Sequence, residues 1–403
     1  MKFKFLLLLT SVLFIFESNF IHAQRIWKVT DDGVQKWYYQ GGDEFTAPEP
    51  DTSFWQSSYP WGRNLFCNKE QQFYSDWKNY ELKDGILSLI ARKETVTEKV
   101  LSWEDANYAL KCKEDVVGKN EQTFKYSSGM IFSKQKFHYG YYETRFMSDA
   151  GKGLWPAFWL YAGVENEEID IFEIKGERNK DIHVDVHCKS GCNNYKTTLG
   201  LVRKNWGDYL TTSAGWQEGF NVVGLEWQPG YLIWYLNGKG IAYWKGNFSN
   251  PMWIIANLAI PSDGGPFGPV PDNTTRFPAK LQLDYIRYFG NTPPSGKLSG
   301  YFENSPLKTS SSVLVKKKRP EFKNAKLKIN SLFVTLSQQA KNSYVLTVNG
   351  NKSSAVVVEV LSKDGKQLYQ QANAADDTYR FENSERGSKI RIKANGKIIE
   401  EIL

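Results

Sequence analysis

From residue 27 to residue 290 no stretch of 12 or more residues carries the apolar stripe at i, i+3, i+4 and i+7 that an amphipathic helix needs. What recurs instead is the short alternating run of β-branched and aromatic residues, cut by Gly, Asn, Asp and Pro. Tyr139–Phe146, Phe220–Trp227 and Lys280–Phe289 are of this kind, and Tyr231–Leu236 runs into the turn pair Asn237-Gly238. Many short strands with frequent turns predict an all-β antiparallel sandwich. Composition agrees: 60 of 403 residues are aromatic, which suits pleated sheets and ligands that stack on rings.

The rest of the chain divides by texture. Lys2 and Lys4 precede the apolar run Phe5–Phe16, and Ala23 stands before Gln24. That order predicts a signal peptide over residues 1–23, with export to the medium, the cell surface or the periplasm. The apolar run is too short for a stable anchor, and no later stretch reads as transmembrane. Residues 24–290 form the sandwich. Residues 291–330 are rich in Pro, Ser and Lys and read as a basic linker. Residues 331–403 read as a small β-domain, with strands over 343–348 and 355–361 around Asn349-Gly350 and a closing hairpin at Asn395-Gly396.

The net charge of +7 is distributed unevenly: −3 over residues 24–290 and +9 over 291–403. A body that is slightly acidic argues against a nucleic-acid enzyme and disfavours a heavily sulfated substrate. Four cysteines in an exported chain suggest two disulfides, Cys188 with Cys192 and Cys67 with Cys112. The alternatives are free thiols or a Cys/His metal site using His183 and His187, whose spacing fits no standard zinc pattern.

The chemistry concentrates in Glu168-Ile169-Asp170-Ile171-Phe172-Glu173. As a strand, this run places Glu168 and Asp170 on one face and Glu173 on the other. A β-bulge would return Glu173 to the same side. Paired carboxylates suit glycoside hydrolysis, in which one attacks the anomeric carbon and the other protonates the leaving oxygen, the two lying about 5–5.5 Å apart in a retaining enzyme. In the preceding run Leu154–Tyr161, alternation puts Trp155, Ala157, Trp159 and Tyr161 on one face and Phe158 and Leu160 on the other. The indoles would floor a sugar cleft and Phe158 and Leu160 would pack in the core.

These residues resemble glycoside hydrolase family 16, in the bulged E-x-D-x-x-E form of laminarinases, agarases and carrageenases. The likeness spans roughly residues 40–290 in order. Asp43-Glu44-Phe45, Asn68 to Tyr74, Asp84-Gly85-Ile86-Leu87, Ser128 to Ile131, Tyr139 to Arg145, Trp155 to Trp159, Asn257-Leu258-Ala259 and Leu283 to Arg287 are similar to successive family motifs. The resemblance implies a concanavalin-type jelly roll, with Glu168 as nucleophile, Glu173 as general acid/base and Asp170 between them. It implies that Asn68, Arg145, Trp155, Trp159 and His187 line the substrate subsites. Catalysis would need no cofactor, and a structural calcium would be held by Glu44, Asp284 and the Gly85 carbonyl. Val164 to Glu167 and His187-Cys188 depart from the laminarinase pattern close to the cleft. The expected activity is that of a monomeric endo-glycosidase on a polysaccharide, a β-1,3- or mixed β-1,3-1,4-glucan. The alternatives are a galactan hydrolase and a non-catalytic glycan-binding protein. The last 73 residues are similar to C-terminal sorting domains of the type IX secretion pathway, which implies secretion machinery as a partner.

Overall fold

The computed structural model describes residues 24–65, 68–98, 121–164, 167–188, 206–293, 331–340, 342–350, 352, 354–373, 378–383 and 385–403. The signal-peptide expectation, Cys67, Cys112 and Cys192, and most of the linker lie outside these. The strands in chain order begin with β1 (Arg25–Thr30), β2 (Gly33–Asp43), β3 (Trp55–Gln56), β4 (Gln72–Tyr74), β5 (Tyr80–Lys83), β6 (Ile86–Glu98), β7 (Gln122–Ser128) and β8 (Met130–Phe137). They continue with β9 (Gly140–Ser148), β10 (Trp155–Tyr161), β11 (Glu168–Glu173), β12 (Asp181–His187), β13 (Trp206–Thr211), β14 (Asn221–Gln228), β15 (Tyr231–Leu236), β16 (Lys239–Lys245), β17 (Met252–Ala259) and β18 (Ala279–Gly290). The C-terminal part holds β19 (Leu332–Ala340), β20 (Ser343–Gly350), β21 (Val357–Leu361), β22 (Gln367–Ala372), β23 (Thr378–Glu382), β24 (Lys389–Ala394) and β25 (Lys397–Ile402). No helix among the described residues is long and apolar enough to cross a membrane.

Two antiparallel sheets face each other. One runs β13-β12-β11-β10-β17-β8-β3, and the other contains β16-β15-β14-β9-β18-β2. Alternation decides which side chains fill the gap. Phe158 and Leu160 from β10, Ile169 and Phe172 from β11, and Ile182, Val184 and Val186 from β12 meet Tyr142, Phe146, Val223, Leu225 and Leu283 in one core. The Phe146 and Phe172 rings stack across the gap with centroids 4.1 Å apart. Polar residues of the same strands are thereby turned to the outer faces, and the outer face of the first sheet carries the acids. This is the antiparallel sandwich that the alternating runs predict, in the jelly-roll form that the family resemblance implies.

The C-terminal strands pack differently from a tethered module. β1 pairs with β2 from Arg25↔Tyr38 to Thr30↔Gly33, and on its other edge with β19 from Arg25↔Leu336 to Val29↔Leu332. The second sheet of the sandwich therefore continues through β1 into β19, β20 and β23. Trp27 and Val29 of β1 fill the smaller core together with Leu346, Val358, Ile390 and Ile392. On the opposite face, Phe333 lies 5.0 Å from both the Tyr141 and Tyr235 rings and stacks on Trp37. Lys28 Nζ donates to the buried Glu226 at 2.5 Å. Asn349-Gly350 ends β20, still paired with Phe333 and Leu332 of β19. A Cβ on Gly238 would sit 2.7 Å from Gly350 Cα, so the two Asn-Gly pairs are a point of backbone contact between the parts. Each aromatic ring taken from water here contributes roughly 1.5–3 kcal/mol. Both cores should therefore melt in one calorimetric transition. Two separated transitions would show that the C-terminal strands unfold on their own.

Candidate active site

The acid strand carries the irregularity that its sequence requires. Against β10, Trp159 pairs with Asp170 and Phe158 with Phe172, so Ile171 is an extra residue. Against β12, Asp170 pairs with Asp185 and Glu173 with His183, again with one residue in excess on β11. Ile171 and Phe172 consequently both enter the core, while Glu168, Asp170 and Glu173 share the outer face. The Trp234 indole donates to the Asp170 carbonyl at 3.0 Å, satisfying backbone that the bulge withdraws from regular pairing.

The side chains converge with β12. His187 Nε2 lies 3.1 Å from Asp170 Oδ2, 3.6 Å from Asp185 Oδ2 and 3.7 Å from Glu168 Oε1. Burial alone would lower the pKa of this imidazole, but Glu168, Asp170 and Asp185 outweigh it and push it up to about 11. His187 is therefore a cation at neutral pH. Burial, with Glu173 and Asp185 adding to it and His187 opposing, pushes Glu168 up to about 7. Burial and the charges of Glu173 and Glu168 also push Asp170 up, and Asp185 rises to about 6. On the far side of the bulge, Trp155 Nε1–H donates to Glu173 Oε1 at 3.0 Å and His183 Nδ1 lies 3.0 Å from Oε2.

The indoles occupy the outer face as alternation predicts, but neither is an open platform. Trp155 is 5% exposed and stacks on Phe267 at 4.5 Å, and Trp159 is 7% exposed. Trp159 Nε1–H donates to Asn257 Oδ1 at 2.8 Å, and Asn257 in turn donates to the Tyr74 hydroxyl. The partly open rings on this face are Trp61, Tyr161 and Trp253, packed beside Trp159. Asn68 hydrogen-bonds to Glu70, whose carboxyl burial pushes up to about 8. The Gln72 side-chain amide and the Tyr74 hydroxyl also donate to Glu70, so Asn68 belongs to the polar network behind Trp159.

Two expectations need correction. Arg145 is not in the cleft. It shares strand parity with Glu143, opposite to the core residue Phe146, on β9 of the other sheet, and it donates to the buried Asp284 at 2.6 Å. Nor do Glu44, Asp284 and Gly85 fit a calcium ion. Both oxygens of Glu44 accept from Arg287, at 2.7 and 2.8 Å, and Asp284 is held by Arg145, while Gly85 lies in the turn between β5 and β6. Two guanidinium groups already neutralise the carboxylates that would face the cation. Among the described residues, the three ligand types that do lie within 4.8 Å of one another are Glu168, Asp170 and His187, and the His187 imidazolium already supplies their counter-charge. Cys188 is disulfide-bonded, with its partner outside the described residues.

His183 and Asp185 are site residues that the acid motif alone does not reveal. Their signal is the strict alternation Asp181-Ile182-His183-Val184-Asp185-Val186-His187, which puts four polar residues on the face that β11 presents.

Comparison with known proteins agrees with the geometry. Residues 70–262 match the model of glycosyl hydrolases family 16. The chain is 25% identical to the endo-1,3-1,4-beta-glycanase EglC of Rhizobium meliloti over 58% of its own length and 47% of that protein's. It is 26% identical to a beta-glucanase of Rhodothermus marinus, over 68% of this chain and 92% of the relative. Its fold matches the endo-beta-1,3-glucanase of Pyrococcus furiosus with a TM-score of 0.51 and 28% identity, over 65% of this chain and 97% of the other. The chain spans less than half the length of several curated relatives, 47% for two and 37% for a third. The bulged acid strand lies inside the matched segment, and residues 70–262 form a glycosyl hydrolases family 16 domain.

Proposed function

We propose that the protein is an exported endo-hydrolase of β-1,3- or mixed β-1,3-1,4-glucan that acts by double displacement. One observation carries this reading: the bulge at Ile171 sets Glu168, Asp170 and Glu173 on one face beside a row of aromatic rings. The names of the relatives, which are glucanases and endo-glycanases, support the substrate class.

Glu168 is the nucleophile. The His187 cation beside it favours its ionised form, and Asp170 lies between the two glutamates. Glu173 protonates the leaving oxygen as Glu168 bonds to the anomeric carbon, and then takes a proton from the attacking water. Residues 1–23 act as the export signal, so the secreted protein should begin at Gln24. The C-terminal strands are the proposed contact with the secretion machinery.

The test is digestion of laminarin, mixed-linkage glucan, agarose and carrageenan, with the anomeric form of the first product read by NMR. Internal cleavage of the two glucans with a β-anomer first is expected. An α-anomer first, or release from the galactans alone, would overturn the reading. The pH profile follows from the electrostatics. Because Glu168 must be ionised to attack, kcat/KM should fall about tenfold per pH unit below about 7. His187→Gln removes an opposing cation and should move that limb to higher pH. Asp185→Asn removes a like charge and should move it to lower pH.

A further inference from the structure

The acid on the C-terminal side of the bulge has both oxygens engaged. Trp155 Nε1–H points at Oε1, and His183 Nδ1 faces Oε2 across 3.0 Å. The pairing Glu173↔His183 in the β11–β12 ladder puts the two side chains opposite each other. The imidazole is held in place: its ring lies 4.4 Å from the Tyr209 ring and meets the edge of Phe267, which is itself stacked on Trp155. Only 13% of the side chain is exposed. An indole N–H can only donate, so it occupies Oε1 as an acceptor and leaves Oε2 as the oxygen on which a proton can sit.

Building on the proposed role of Glu173 as acid/base, we infer that Glu173 Oε2 and His183 Nδ1 hold one proton between them, making His183 the positioning residue that keeps this proton at the cleft. In the first step the bond between the anomeric carbon and the leaving oxygen breaks as Glu168 bonds to that carbon. The proton passes from the pair to the leaving oxygen, which leaves Glu173 a carboxylate beside a neutral imidazole. In the second step water attacks the same carbon, its proton returns to Oε2, and Glu168 departs as a carboxylate. No other donor is required.

The charged and titratable groups around the pair are Asp181 and Asp185 on β12, Glu168 and Asp170 on β11, and Tyr209 on β13. The cations of Lys175 and Arg178 lie over the Tyr209 ring. None of these is as close to Oε2 as His183 among the described contacts.

The experiment compares laminarin with a 2,4-dinitrophenyl β-laminaribioside, whose leaving group departs without a proton. In His183→Asn, an amide can still donate where Nδ1 stood but cannot hold a proton. In His183→Phe the ring is kept and the nitrogen lost. Both variants should lose about 100-fold in kcat/KM on laminarin and stay within about threefold of the parent on the dinitrophenyl substrate. An equal loss on both substrates would make His183 merely structural and overturn the inference, as would a His183→Asn enzyme with parental laminarin turnover. Circular dichroism identifies a variant that fails to fold, and His183→Gln then replaces it in the same comparison. Glu173→Gln separates the two ideas: if it too fails to distinguish the substrates, the acid/base assignment itself falls.

Discussion

Glu168→Gln should lower kcat on laminarin by about 10⁵-fold while leaving glucan binding intact, the scale expected when a covalent nucleophile is removed. The amide matches the carboxylate in shape and keeps the cleft packed, but it cannot form the glycosyl ester. The smaller Glu168→Ala variant gives a second readout. Azide should enter the vacated space from the nucleophile's side and yield an α-glycosyl azide, whereas Glu173→Ala with azide should yield the β-azide. These opposite products assign each glutamate its face of the sugar ring. Undiminished reducing-sugar release by Glu168→Gln would sink the nucleophile assignment. Loss of binding together with turnover would point to a collapsed cleft instead.

The second large effect is on stability. Arg287 is 2% exposed and donates from two nitrogens to Glu44 and from a third to Glu143 at 3.4 Å. Its guanidinium carbon lies 3.6 Å over the Tyr285 ring. Replacing it by Met leaves two carboxylates in the interior without their cation, which costs about 3–5 kcal/mol. For a domain of this size that corresponds to a fall in Tm of roughly 10 °C, measurable by differential scanning calorimetry. Adding Glu44→Gln to Arg287→Met should recover part of the loss, since one stranded charge is then removed. A Tm within about 2 °C of the parent for Arg287→Met would mean that the pair contributes no net stability.

The acid/base site was legible because its information is local. Three carboxylates with a phase error, between Ile169, Ile171 and Phe172, have few solutions other than a bulge. The alternation through β10 likewise assigned each side chain of Trp155 to Tyr161 to its face. Arg145 shows where this stops. Parity along β9 says that Arg145 and Phe146 point oppositely, but not that β9 lies in the sheet away from the acids. Glu44 and Asp284 are a similar case: the sequence shows two carboxylates fit for a cation, and only packing shows that Arg287 and Arg145 fill that role.

Sequence alone determined the strand composition, the bulge and the identity of the acids, because period-two alternation and residue spacing act over a few neighbours. The tertiary structure alone decided that β1 is shared with β19, more than 300 residues away, that Asn349-Gly350 abuts the tip of the β15–β16 hairpin, and that His183 meets Glu173. Those outcomes depend on which sheet edges and faces find each other, and that choice is made by burial summed over the whole fold rather than by any local pattern.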